Sequence, residues 1–253
     1  MLRITQELRH FETVFFWATR AASVFRARVF DLFRELPFAG HPLIGGAAVL
    51  HQQAGHAGAQ TWIIELATRA VTVTTEYLEG RYCGLLDQGS PEFWAPISER
   101  DIFPEAFGLS HSDLHPELPA QVVSTGLRYL IVPVAPGALG RARIERDITG
   151  LLGGIGAQFA VLFDEAELEI RHWNNDGIVE DVATGSAAGT IGAYRLSHGL
   201  ARGGETFLLR QGQYVGRPST LRIQAEGRPD SIQSVKVGGD VALVGRGTLD
   251  VLP

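Results

Sequence analysis

Gly185-Ser186-Ala187-Ala188-Gly189-Thr190-Ile191-Gly192-Ala193-Tyr194-Arg195-Leu196-Ser197-His198 is small or apolar at almost every position, and Gly199 follows directly. A run without a polar stripe predicts a helix over 187–198 that is buried all round and closed by Gly199 in the left-handed position. Such a helix needs a sheet wrapped about it. Moving outward, strand patterns stand before it at 121–124, 127–134, 160–163 and 168–172, and after it at 207–211, 219–225, 234–237 and 241–245. The first half echoes this order. Strand-like runs at 13–17 and 24–33 lead to Gly40, then to an apolar run ending at Leu50 with Pro42 in its first turn. Further strand patterns follow at 62–66, 70–75 and 81–87, and a short helix is expected over 1–9. The stretch 90–96, with Pro91 and Pro96, reads as a connector, and 141–152 reads as helix. Two α+β halves, each folding strands around one buried helix, account for both apolar helices.

The chain has 253 residues, 45% hydrophobic and 20% charged, enough for one large domain or two of ordinary size. The net charge is −6 and no basic run exists, which excludes an electrostatic footprint for nucleic acid or an anionic membrane surface. A single cysteine, Cys83, excludes an intramolecular disulfide and any multi-thiolate zinc site. Lys236 is the only lysine, so a Schiff-base enzyme would depend on it. The longest stretch free of Asp, Glu, Lys and Arg, 36–64, carries His41, His51 and His56, and the apolar run 151–163 is too short to span a bilayer. The N-terminus is amphipathic and charged, unlike a signal core. A cytoplasmic chain without a membrane segment is expected.

Three places can carry chemistry. In Glu180-Asp181-x-x-Thr184-Gly185-Ser186, small residues surround a turn just before the second apolar helix. The orphan N–H groups there suit an anion, and Ser186 can add a hydroxyl. Equally, Thr184 or Ser186 can serve as an N-cap while the glycines permit close packing. His41 sits between Gly40 and Pro42 at the first helix start, where the dipole favours a neutral ring; a half-buried cap residue is the alternative. Glu12 lies in Phe11-Glu12-Thr13-Val14-Phe15-Phe16-Trp17, and a carboxylate among aromatics is expected to have a raised pKa, as a proton-shuttling group needs. The other reading is a solvated strand-end charge. The remaining histidines show no metal-ligand spacing, and Asp113 and Asp164-Glu165 read as surface turns.

Taken together, Glu35-Leu-Pro-Phe-Ala-Gly-His41-Pro42 and Glu180-Asp181-x-x-Thr184-Gly185-Ser186-Ala-Ala-Gly resemble the PhzF-like isomerases of the phenazine biosynthesis family. Supporting segments are Thr125-Gly-Leu-Arg-Tyr129, Gln211-Gly-x-x-x-Gly216-Arg-Pro-Ser and Val244-Gly-Arg-Gly. The resemblance implies an α+β fold of two similar domains, each a mixed curled sheet around a central apolar helix, with an active-site cleft between them. The expected domains are 1–92 with a C-terminal strand at about 244–253, and 93–243. The first would lack the family's usual N-terminal strand, leaving an open sheet edge. The resemblance also implies proton transfer on a small carboxylic acid without a cofactor or metal. Glu12 matches the family's acid/base glutamate, although Phe11 replaces the usual serine before it. His41, Asp181 and Ser186 match its other catalytic positions, and Gly40, Thr184 and Gly185 its substrate contacts. A homodimer is expected. The rival readings are an epimerase or racemase of a small amino or hydroxy acid, and a non-catalytic small-molecule binder. Two-thiol epimerase chemistry is excluded, because the equivalent positions are Ala39 and Thr184.

Overall fold

The computed structural model describes residues 1–55 and 58–253, so His56 lies outside the described residues. The fold is α+β, and its contacts divide the chain into two compact units: 1–87 with 238–253, and 88–237. The boundaries expected from sequence fall five and six residues further along.

The first unit contains α1 (Leu2–Leu8), β1 (Glu12–Ala18), β2 (Val24–Asp31), the short β3 (Glu35–Leu36), α2 (Gly40–Ala54), β4 (Ala59–Glu65), β5 (Ala70–Leu78) and β6 (Arg81–Asp87). Its strands run in the order β1-β2-β4-β5-β6, with β1 at the end. β2 and β4 are parallel, so α2 is the crossover that joins them. Leu43, Ala47 and Leu50 of α2 pack against Ala27, Val29, Trp62, Ile64, Val73 and Leu86. Gly46 lets α2 approach β1, because a Cβ there would overlap the Phe16 ring.

The second unit contains β7 (Glu92–Phe93), α3 (Ile102–Ala106), β8 (Gln121–Ser124), β9 (Arg128–Val134), α4 (Thr149–Gly154), β10 (Phe159–Asp164), β11 (Glu169–Arg171), α5 (Gly185–Ser197), β12 (Thr206–Gln211), β13 (Ser219–Arg228) and β14 (Ser231–Val241), whose last residues belong to the first unit. Here too the apolar helix is a crossover: α5 joins β11 to its parallel neighbour β12. Residues 187–196 of α5 are all buried, as the absence of a polar stripe requires. Alternation along β9 separates two cores. Tyr129 and Ile131 face the α5 side, whereas Leu130, Val132 and Val134 face the side of α3 and α4. A strand covered on both faces reads as one apolar run, which is how Tyr129–Val134 looks in sequence.

Three expectations are corrected. The strand expected at 241–245, and the C-terminal strand at about 244–253, are not formed: β14 ends at Val241, and beyond it Val244, Val251 and Leu252 are exposed and, among the described residues, pair with no strand. The helix expected over 141–152 is limited to α4, because Asp147 accepts the Thr149 N–H at 2.7 Å and Arg143 N–H bonds Phe107 instead of its own turn. Asp113 and Asp164 are buried rather than on surface turns. Asp113 is bonded by Arg141 and by the Ser110 N–H and hydroxyl, and Asp164 accepts the Gly137 and Glu167 N–H groups.

Candidate active site

Glu12 opens β1, opposite Asp31 of β2. Side chains alternate along a strand, so Glu12 shares its face with Val14 and Phe16, which pack on the α2 core. That direction carries its carboxyl towards the start of α2, and Oε2 lies 3.1 Å from His41 Nε2. The Glu12 side chain keeps only 12% of its surface exposed, whereas His41 keeps 72%. Phe11 contributes nothing to that shelter, because it is 79% exposed; the aromatic environment expected from sequence is therefore incomplete. Asp31 accepts the Phe33 and Arg34 N–H groups at 2.7 and 2.6 Å, and the Phe33 bond in particular holds its carboxyl below the usual range. Gly40 is the first residue of α2, and no neighbouring atom lies where its Cβ would stand.

The opposite face of this sheet bears a hollow of about 970 Å³ lined by Trp17, Arg26, Arg28, Glu35 and Glu65. Arg26 is paired with Glu65 and Arg28 with Glu35. Neither Glu12 nor His41 lines it.

In the second unit the turn before α5 is held by its own polar groups. Asp181 Oδ1 accepts the Val182 N–H at 2.7 Å and the Ala183 N–H at 3.4 Å, and its Oδ2 accepts the Thr184 hydroxyl at 2.7 Å. Thr184 occupies the N-cap position but makes no side-chain cap bond, since its hydroxyl serves Asp181. The first helical bond, Ala188 N–H to Thr184 C=O, leaves the N–H groups of Gly185, Ser186 and Ala187 without a helical acceptor. Ser186 Oγ lies 2.8 Å from the hydroxyl of Tyr129, a residue 2% exposed whose pKa burial pushes up to about 12. Tyr129 packs edge-on against His172. The His172 Nδ1–H donates to the Ala160 carbonyl at 2.8 Å, which leaves Nε2 as the acceptor, and burial holds the ring below its ordinary pKa.

Several residues that support this turn were missed in the sequence. Glu180, quoted only as part of a motif, keeps 5% of its side chain exposed and forms a two-bond pair with Arg171 at 2.9 and 2.6 Å. Arg171 also donates to the Leu139 and Ala142 carbonyls and lies over the rings of Trp173 and Tyr214. Gln88 donates to the Gly185 carbonyl and accepts from the Thr125 hydroxyl, and a Cβ on Gly189 would overlap it. Gln211 bonds three atoms of the 181–184 turn. Tyr129 and Gln211 stood inside segments that carried the family resemblance. A tyrosine within an apolar strand, whose hydroxyl needs a partner, was the available signal.

Among the described residues no cluster of three or more His, Cys, Asp or Glu side chains could hold a metal ion. No described helix is long and apolar enough to cross a membrane.

Comparison with known proteins gives the family. The phenazine biosynthesis-like protein family (PhzC-PhzF) matches residues 1–247. The trans-2,3-dihydro-3-hydroxyanthranilate isomerase of Pseudomonas chlororaphis is 30% identical over 261 residues, covering 98% of this chain and 87% of that one. A solved structure described as a predicted epimerase from Pseudomonas aeruginosa matches with TM-score 0.84 and 45% identity, over 99% of this chain and 88% of that one. A Bacillus anthracis protein of the PhzF family, 22% identical, shares the fold with TM-score 0.77 over 96% of this chain and 86% of that one.

Proposed function

The chain belongs to the phenazine biosynthesis-like family and is an isomerase of that family, and from this premise we propose that it moves a proton on a small carboxylic acid with Glu12 as general acid/base. The observation that carries the reading is the Glu12 carboxyl, largely withdrawn from water and 3.1 Å from His41 Nε2. A carboxylate takes a proton from a carbon activated by neighbouring unsaturation. The C–H electron pair moves into the adjoining bond, and the same carboxyl, its proton exchanging with solvent in between, delivers a proton to another carbon. The substrate's atoms are conserved and only its double bond changes place, so the step needs no cofactor. His41 Nε2, 3.1 Å away, orients the carboxyl.

Asp181, Thr184 and Ser186 are assigned to holding the polar groups of the acid. The N–H groups of Gly185, Ser186 and Ala187 at the start of α5, which have no helical acceptor, suit its carboxylate. A two-thiol epimerase gains no support. The residues before α2 and α5 are Ala39 and Thr184, and Cys83 lies on β6. A homodimer and a cytoplasmic setting accompany this reading; light scattering of the purified protein tests the first.

The substrate named for the Pseudomonas chlororaphis relative is the first acid to try. In deuterated water the wild-type protein is expected to move the double bond of trans-2,3-dihydro-3-hydroxyanthranilate, or of another cyclic carboxylic acid, with solvent deuterium entering at carbon. Glu12→Gln is expected to abolish incorporation while circular dichroism and Tm stay at wild-type values. Undiminished incorporation in that variant ends the proposal. Inversion of a centre with the double bond left in place would replace it with an epimerase.

A further inference from the structure

We infer that Gln211 is a positioning residue, the group that fixes the direction of the Thr184 hydroxyl and so the orientation of Asp181 and the start of α5. The inference rests on the proposed function, in which that turn binds the acid.

Gln211 ends β12 and is 1% exposed. Its Oε1 accepts the Thr184 N–H at 2.8 Å, which assigns the amide: the other terminal atom must be the donor. From there Nε2 donates to the Asp181 carbonyl at 2.8 Å and to Thr184 Oγ1 at 2.9 Å. A hydroxyl that accepts from Nε2 must send its own hydrogen elsewhere, and Asp181 Oδ2 lies 2.7 Å away. The polarity therefore runs one way, from the Gln211 amide through Thr184 to the Asp181 carboxylate. Asp181 Oδ1 is already committed to the N–H groups of Val182 and Ala183. All three donors to the carboxylate then lie within the turn, and one buried amide sets the direction of the last.

The backbone after Gln211 brings the amide close. Gly212 has φ +81°, and a Cβ there would overlap the Arg217 and Val182 carbonyls, so only glycine lets β12 end directly beneath the turn. A residue whose function was only to fill the core would not need three directed bonds to one four-residue segment. Among hydrophobic residues a leucine or methionine would fill that volume.

Two variants separate direction from bulk. Gln211→Met keeps the volume and removes all three bonds. Gln211→Glu keeps the shape and, when ionised, turns the donor into an acceptor, so the Thr184 hydroxyl swings towards it and leaves Asp181. With trans-2,3-dihydro-3-hydroxyanthranilate as the probe, both are expected to raise KM about tenfold and to change kcat by less than about threefold, because binding geometry is lost while Glu12 is untouched. Amide hydrogen exchange at Val182 and Thr184 is expected to accelerate about tenfold, with the amides of β9 and β10 unchanged. Unchanged KM or unchanged exchange in Gln211→Glu overturns the inference. Should Gln211→Met fail to fold, Thr184→Val breaks the same relay from its middle and is held to the same KM and Val182 exchange criteria. A wild-type protein inert towards this acid and the other cyclic carboxylic acids sinks the functional reading alone, and the exchange measurement then decides the role of Gln211 by itself.

Discussion

Glu12 and His41 stand 29 positions apart in sequence and 3.1 Å apart in space. Their meeting follows from two local rules: alternation along β1, and the placement of His41 in the first turn of α2. Glu12, His41, Asp181 and Ser186 stand out as candidates from motifs alone. Their partners do not, because hydrogen-bond direction depends on contacts between distant segments. Asp181 shows the difference. Its side chain turns back into its own loop, where the N–H groups of Val182 and Ala183 and the Thr184 hydroxyl bind it. Glu180, its neighbour, was invisible as a structural residue because Arg171 reaches it from β11. Both side chains of this pair are nearly buried, at 10% and 5% exposure. Glu180→Ala would strand the guanidinium without its carboxylate, at an expected cost of about 3–5 kcal/mol. Urea denaturation measures it. A loss below about 1 kcal/mol would mean that the Leu139 and Ala142 carbonyls and the flanking rings suffice for the arginine.

α2 and α5 were legible as elements because neither has a polar stripe, and both are crossovers between parallel strands; α5 is buried along 187–196, whereas α2 is buried on the face of Leu43, Ala47 and Leu50 and leaves Val49 exposed. Which side of each glycine carries a neighbour was not legible, since glycine gives no side chain to pattern. Gly45 and Gly46 make the point in consecutive positions. Nothing lies within 4 Å of a Cβ on Gly45, whereas one on Gly46 would overlap the Phe16 ring. Gly45→Ala is therefore expected to stabilise the first unit by about 0.5–1 kcal/mol, the gain from restricting a flexible residue in a helix. Gly46→Ala gains the same propensity but must displace a ring on β1, and is expected to cost a net amount of about 1–3 kcal/mol. Trp62, 4% exposed in the core of that unit, is the natural fluorescence probe for both. Equal shifts of the same sign would show that propensity, not the Phe16 contact, governs this face of α2. Because Phe16 and Glu12 lie on one face of β1, Gly46→Ala should also slow turnover while Gly45→Ala leaves it near wild type.

At the scale of the molecule, the sequence conveyed the α+β class and the echo between halves, while the C-terminal end misled. Residues 242–245, just past β14, have strand composition, but composition cannot report that, among the described residues, they pair with no strand. Burial of ionisable groups was equally hidden, and it determines how the whole chain responds to acid. Burial, above all, holds His172 below its ordinary 6.5, against the pull of the Ala160 carbonyl bond, and His198 is lowered by burial as well. Below that pH the unfolded chain carries protons that the folded chain refuses. Their contribution is complete above 6.5 and is lost as pH falls towards the lowered folded values. Asp113 acts in a later window. The Ser110 N–H first, and Arg141 next, hold it at about 2, so its contribution survives until pH drops below 3.8. Glu169 has the opposite sign, because burial raises its carboxyl above 4.5 and its contribution grows as pH falls through the raised value. Comparison with a variant isolates the histidine part. In His172→Gln an uncharged amide can still donate to the Ala160 carbonyl, so the bond is kept and the titration removed. Wild-type Tm is expected to fall between about pH 7.5 and pH 5, and the fall should be smaller in the variant, while both share the later loss below about pH 4. Parallel Tm profiles over the upper range would show that His172 accepts its proton equally in the folded and unfolded chain.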